Sequence, residues 1–243
     1  MVPMHAFANP LRFQRITDAV FPYAAWSTLL LTPVALVWAL FVAPADYQQG
    51  EAYRIIYVHV PAAYMATFTY AAVAAGSFVA IVWRHPLAEI AARAAAPVGA
   101  VFTAIALFTG SVWGKPMWGT WWVWDARLTS VLILFFLYLG YILLHDAFDD
   151  PVRGARAASI LALVGAVNLP IIKFSVDWWN TLHQPASIMR LDGPAIDGAM
   201  LYPLLTMILL FKLYLVTVMI LRIRLHVDER KILNLRTSAA DRI

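Results

Sequence analysis

The sequence predicts an all-α integral membrane protein, a bundle of six transmembrane helices. Of its 243 residues, 62% are hydrophobic and only 13% are charged, whereas an average soluble domain is about 45–50% apolar and about 25% charged. Six apolar runs are also long enough to cross a bilayer, which takes about 20 residues each. We therefore predict a single membrane domain over residues 1–243, with no soluble domain of useful size.

The six predicted spans lie at about residues 22–43, 60–83, 95–113, 128–145, 157–176 and 200–221. The first run follows two arginines and ends at Ala43-Pro44-Ala45, which imitates a signal-peptide cleavage site. A signal peptide's apolar region is only ~7–15 residues long, so we predict an uncleaved signal anchor. We find neither an internal repeat nor a broken span in the sequence.

Basic residues predict the orientation of the spans. The N-terminal tail, residues 84–94, residues 146–156 and the tail from Arg222 together carry twelve Lys and Arg. The alternate connections, residues 44–59, 114–127 and 173–199, carry five. Because cytoplasmic loops are enriched in Lys and Arg, we expect both termini in the cytoplasm and the three basic-poor loops on the outer side.

The chain contains no cysteine, which excludes disulfides, thiolate metal sites and redox dithiols. Its net charge of +4 is carried mostly by arginines near the ends of apolar runs. That distribution reflects membrane topology, and we expect no nucleic-acid partner.

The second outer loop has an unusual density of tryptophan. Five of the ten tryptophans fall between Trp113 and Trp124. Such a cluster can form a platform for a large flat ligand, but tryptophan also gathers at membrane interfaces without any ligand. If the segment is helical, residues 118, 121, 122 and 125 share one face. The glycines and proline at 114, 116 and 119 limit such a helix to a short interfacial one.

Two charged residues follow the tryptophans. Asp125 is placed to cap the N-terminus of the fourth span. Arg127 has three open roles: it can extend to the interface, pair with Asp125, or bind a ligand carboxylate through bidentate contacts.

Two of the six histidines lie in outer segments, His59 before the second span and His183 in the third outer loop. The other four lie at cytoplasmic ends. A pair of neutral imidazoles suits the axial positions of a six-coordinate iron, and without cysteine haem fits better than an iron–sulfur cluster. The alternative is that both are ordinary interface residues.

Lys212 lies midway along the last span, where a charge is either functional or bonded to backbone carbonyls inside the bundle. A secondary transporter using Lys212, a respiratory b-type haem subunit and a membrane scaffold are the competing functions. A b-type subunit needs histidine pairs deep within its spans, and no span here has one.

Residues 118–129, Trp-Gly-Thr-Trp-Trp-Val-Trp-Asp-Ala-Arg-Leu-Thr, resemble the WWD signature of the haem-handling proteins of cytochrome c biogenesis. Within that group the chain is most similar to the CcmC family, by its length, its six spans, His59 and the segment 178–184. The related CcmF and CcsA-type proteins are longer and have more spans. The resemblance covers nearly the whole chain.

The resemblance implies a haem-handling component, rather than an enzyme, of a bacterial inner membrane. It implies that haem b is held non-covalently and transiently, with His59 and His183 as axial ligands. Recipients and partners would be the haem chaperone CcmE, the small membrane protein CcmD and the ABC transporter CcmA and CcmB. The implied haem contacts are Trp118, Gly119, Trp121, Trp122, Trp124, Asp125 and Arg127, with further contacts at Trp113, Trp178 and Trp179.

Overall fold

The computed structural model describes residues 9–184, 187, 188, 190 and 192–240, and within these the regular structure is helical. Six helical segments are long and apolar enough to cross a membrane, as the sequence predicts. The helices are α1 (Pro10–Val37, continued by a π-helical turn, Trp38–Val42), α2 (Ile56–Trp83, preceded by a 3-10 turn, Glu51–Ile55), α3 (Pro86–Trp118), α4 (Ala126–Asp146), α5 (Pro151–Gly165), α6 (Asn168–Trp178) and α7 (Gly198–Ala240).

The helices extend beyond the apolar runs, and in α3 the extension reaches the tryptophan-rich segment. The sequence places the end of this span near residue 113, but the helix continues through Gly114 and Pro116 to Trp118. A proline this near the end removes only one backbone hydrogen bond. The helix stops after Trp118 because the next residue, Gly119, has a left-handed φ of 76° and caps the helix end. Its N–H donates to the Lys115 carbonyl at 3.1 Å.

The fifth span runs from Pro151 to Trp178 and contains a short turn at Ala166 and Val167, both of which keep right-handed helical dihedrals. α5 ends at Gly165 and α6 begins at Asn168. The Asn168 side chain donates to the Ser130 carbonyl of α4 at 2.8 Å. A Cβ at position 165 would lie 2.1 Å from the Tyr70 hydroxyl of α2, so the glycine admits a close neighbour.

Small residues allow the central helices to pack closely. A Cβ at Gly76 of α2 would lie 3.0 Å from the Ala88 carbonyl of α3. Gly99 of α3 makes room for Tyr138 of α4, whose hydroxyl donates to the Ala66 carbonyl at 2.7 Å. These contacts fix α2, α3 and α4 relative to one another.

The two ends of the bundle differ in chemistry. At one end lie ion pairs between separate helices, Arg93 with Asp146 at 3.2 Å and Arg230 with Glu89 at 2.8 Å. The other end, called the outer end below, is defined by His59, Trp118 and His183. It brings together the start of α2, the end of α3, the start of α4 and the loop after α6. The residues singled out by the sequence therefore gather at one end.

Candidate functional site

His59 and His183 meet at the outer end although they lie in opposite halves of the chain. Their ring centroids are 6.2 Å apart and the ring planes are inclined by 34°. His59 is in the first turn of α2, and His183 follows the end of α6. The fold thus joins two imidazoles that sequence analysis could only place on the same side of the membrane.

His59 rests against α3. Its Nδ1 lies 3.1 Å from the Thr109 hydroxyl, and its ring meets the edge of Trp113 at 5.7 Å. Trp113 is itself held, because its indole N–H donates to Gln49 at 2.9 Å. A Cβ at Gly110 would lie 2.9 Å from Cε1 of His59, so only glycine leaves room for the ring there.

His183 is supported by Trp118, the last residue of α3. Its ring meets Trp118 edge to face at 5.6 Å. Burial, followed by the nearby charges of His59 and Arg127, lowers the pKa of His183 to about 3. The ring is therefore neutral near pH 7 and keeps one nitrogen lone pair free to bind a metal.

The WWD loop, residues 118–127, is not the short helix that shared-face spacing allows. After Trp118 the backbone is non-helical until α4 begins at Ala126. Side chains of α3 hold this extended segment. The Ser111 hydroxyl donates to the Trp121 carbonyl at 2.7 Å, and the Lys115 ammonium donates to the Gly119 carbonyl at 3.1 Å. Residues 118, 121, 122 and 125 therefore do not share a helical face.

The tryptophans of this region divide into two groups. Trp113 and Trp118 buttress the two histidines. Trp121 and Trp124 are 55% and 74% exposed, and Trp124 meets Trp122 edge to face at 5.5 Å. The indole N–H of Trp122 is buried and forms no hydrogen bond with the described residues.

Trp178 and Trp179 lie at the end of α6. Trp178 stacks on Phe174 at 5.3 Å and meets Trp179 edge to face at 5.7 Å. Both indoles are about half exposed. Their ring contacts are with each other and with Phe174 rather than with either histidine, so an interfacial aromatic role remains open for them.

Asp125 and Arg127 both act on helix ends. One carboxylate oxygen of Asp125 accepts from the backbone N–H of Leu128 at 2.8 Å, which confirms its predicted role as the N-cap of α4. Arg127 turns to α6 instead of Asp125. Its Nε donates to the Ser175 hydroxyl at 2.9 Å and a terminal nitrogen to the Lys173 carbonyl at 3.4 Å.

Lys212 does not have the backbone contacts that one of its two expected roles requires. Its side chain is exposed on α7 and its ammonium lies 5.2 Å from the centre of the Tyr64 ring, a cation–π contact. It does not bond backbone carbonyls within the described bundle, and it lies outside the histidine cluster.

Sequence analysis missed three residues that hold the site: Thr109, Gln49 and Ser175. None belongs to the WWD motif. Thr109 contacts His59, Ser175 contacts Arg127 of the motif, and Gln49 holds Trp113, which packs against His59. The sequence does give a weak signal for Thr109. It lies four residues before Trp113, so the two side chains share one face of α3.

Comparison with known proteins gives one consistent result. Residues 3–238 match the family described as heme exporter protein C, CcmC. The chain is 52% identical to heme exporter protein C of Bradyrhizobium diazoefficiens over 97% of this chain and 89% of that protein. It is 52% identical to the protein of that name in Escherichia coli K12 over 91% of this chain and 89% of the other. A putative ccmC-like mitochondrial protein for cytochrome c biosynthesis in Marchantia polymorpha is 53% identical over 72% and 73% of the two chains.

Proposed function

This chain belongs to the haem exporter protein C (CcmC) family of cytochrome c maturation, and we propose that it binds haem at the outer end between His59 and His183 and passes it to an acceptor there. The observation that carries the proposal is the approach of these two rings to 6.2 Å. Both lie at the same end as the WWD loop, which supplies aromatic surface beside them.

The spacing of the rings suits a single iron between them. A ring nitrogen binds a transition metal at about 2 Å and lies about 1.2 Å from its own ring centre, so two axial imidazoles have centres roughly 6 Å apart. The separation of 6.2 Å in the structure agrees with that figure. No chain movement on the scale of a helix is needed to bring the ligands together.

The set of donors favours haem over a bare metal ion. In the described part of the chain, no group of three or more His, Cys, Asp or Glu side chains could hold a metal ion. Two imidazoles alone leave four positions of a six-coordinate iron unfilled, and a porphyrin supplies those four. The axial pair would sit at the end of the bundle, unlike the deep pairs of respiratory b-type subunits, which counts against that alternative.

Each part of the site then has a distinct task. His59 and His183 hold the iron, while Trp113 and Trp118 keep the imidazoles in place. The exposed indoles of Trp121 and Trp124 offer apolar faces to the macrocycle. Because the chain has no cysteine, haem b is held without a thioether and stays free to leave.

Release to a recipient completes the proposed role. We expect transfer to the haem chaperone CcmE on the periplasmic side of a bacterial inner membrane, within a complex that includes CcmD and the ABC transporter CcmA and CcmB. The protein would act as a haem carrier in this step rather than as an enzyme. The exposure of the WWD loop supports this view, since an acceptor can approach it from outside the bundle.

Replacement of the histidines tests the proposal. We expect His59→Ala and His183→Ala each to lower the haem retained on purification and to shift the Soret band. His226→Ala is the matched control, since that histidine pairs with Glu229 on the distant part of α7. Wild-type spectra and haem yield in both site variants would disprove the axial assignment.

A further inference from the structure

The Thr109 hydroxyl has a fixed direction of donation. Its oxygen lies 2.6 Å from the Ile105 carbonyl oxygen, one turn back on α3. Two oxygens approach this closely only with a proton between them, so the single hydroxyl proton points at that carbonyl. Thr109 can then only accept a hydrogen bond from any further partner.

That further partner is Nδ1 of His59, at 3.1 Å. Since Thr109 accepts, Nδ1 carries the proton of the neutral imidazole, and Nε2 keeps its lone pair. The His59 ring also has a hydrogen bond with the backbone of Ala106 on α3, whose carbonyl can likewise only accept. The rest of the ring is confined by the edge of Trp113 and by the close backbone of Gly110.

We propose that Thr109 is a positioning residue that selects the Nδ1–H tautomer of His59 and so presents Nε2 to the iron. The inference rests on the proposed haem site but concerns the protein before haem binds. In water, imidazole favours the opposite tautomer, with the proton on Nε2. Without Thr109, part of the population would therefore offer a protonated nitrogen to the metal. Outer partners of this kind change metal affinity by about 10–100-fold.

The chain offers closely matched variants for a test. Thr109→Val keeps the branched shape and removes the acceptor, while Thr109→Ser keeps the acceptor. Thr103→Val is the control, because the Thr103 hydroxyl makes the same bond to a carbonyl one turn back, Gly99 at 2.7 Å, without contacting a histidine. All four proteins are prepared as the full chain without haem and with ¹⁵N-labelled histidine.

The first measurement is the pair of ¹⁵N shifts of the His59 ring in the haem-free protein, assigned with His59→Gln. Wild type, Thr109→Ser and Thr103→Val should show a protonated Nδ1, and Thr109→Val should shift the proton toward Nε2. The second is haem titration followed at the Soret band, where Thr109→Val should weaken affinity at least 10-fold and Thr103→Val should not.

Two outcomes would overturn the proposal. One is a wild-type His59 protonated on Nε2; the other is a Thr109→Val protein with unchanged ring shifts. Unchanged haem affinity in Thr109→Val would equally remove the positioning role. Failure of the proposed haem site can be told apart from failure of the Thr109 proposal. If the haem site is wrong, His59→Gln binds haem as well as wild type does, whatever the ring shifts show about the tautomer.

Discussion

Trp121 and Trp124 are the most exposed tryptophans of the WWD loop. Deleting a well-buried large aromatic costs about 3–5 kcal/mol, but these side chains are more than half exposed, so little stability should be lost. We predict that Trp121→Ala combined with Trp124→Ala leaves the amount of protein in the membrane nearly unchanged. Covalent haem on co-expressed CcmE, normalised to that amount, should fall several-fold.

The control for the tryptophans is Trp26→Ala on α1. Trp26 is 61% exposed, comparable with Trp121, but lies on a different helix and far from the loop in sequence. It should leave transfer unaffected. A double variant at 121 and 124 that transfers haem at the wild-type level would favour the interfacial belt over a haem-contacting surface.

Substitutions of Asp125 can separate its role as the N-cap of α4 from any role of its negative charge. Asn is also a good N-cap, whereas Ala loses the bond to Leu128 at a cost of about 1 kcal/mol. If capping is its main task, Asp125→Asn should retain thermal stability and Asp125→Ala should lose it. The second carboxylate oxygen is buried and has no described hydrogen-bond partner. A drop in haem binding with Asn, at unchanged stability, would point to a role for that oxygen and contradict the capping account.

The residues of the site differ in how far a sequence can reveal them. Histidines and tryptophans are recognisable by type and by their position next to apolar runs. The Asp125 cap follows from local spacing alone, and the structure confirms it. The contacts of Thr109, Gln49 and Ser175 cross between elements, and the sequence pattern does not encode which helices become neighbours.

At the scale of elements, Arg127 joins the start of α4 to the end of α6. Its bonds to Ser175 and to the Lys173 carbonyl hold the segment that leads to His183. We predict that Arg127→Gln lowers haem retention although no iron ligand is changed, and that Ser175→Ala gives part of the same loss. The measurement is haem per protein after purification, for both single variants and the double.

A double-mutant cycle decides between this role and direct contact with a ligand carboxylate. If Arg127 acts through Ser175, the double variant should be no worse than Arg127→Gln, because residues of one network are not additive. Fully additive losses would mean that Arg127 contributes elsewhere.

At the end of α5, Gly165 packs closely against Tyr70 of α2. Gly165→Ala would place a Cβ 2.1 Å from the Tyr70 hydroxyl, and overpacking of this kind costs about 1–3 kcal/mol. We predict a lower temperature of thermal unfolding in detergent for Gly165→Ala. Adding Tyr70→Phe, which removes that hydroxyl, should restore part of the loss. A destabilisation that Tyr70→Phe does not relieve would place the strain with Leu137, the next contact.

Hydropathy predicts which segments cross the membrane better than it predicts where each helix begins and ends. The apolar runs identify the crossings, but polar turns such as those at the start of α1 and the end of α7 have no hydropathy signal. The turn between α5 and α6 has no clear hydropathy signal, but Gly165, Asn168 and Pro170 do mark it in the sequence. Pro170 has no N–H to donate to the Ala166 carbonyl and its ring crowds that carbonyl, which favours a turn at this position.

For the whole molecule, the two ends of the bundle carry different chemistry, and the orientation of these ends decides where haem is handled. The sequence assigns twelve basic residues to one set of connections and five to the other. The structure groups the interhelical pairs of Arg93 and Arg230 at one end and the histidine pair at the other. This arrangement agrees with alternating spans but does not itself define the side of the membrane.

Reporter fusions determine that side. We predict that fusions at residue 150 and at the C-terminus behave as cytoplasmic, and that fusions at residues 120 and 190 behave as periplasmic, because Lys and Arg in short connections resist translocation. Alkaline phosphatase and a fluorescent protein used at each position give opposite signals and check each other. A periplasmic C-terminus would turn the WWD loop and both histidines toward the cytoplasm, and delivery of haem to a periplasmic chaperone from this site would then be excluded.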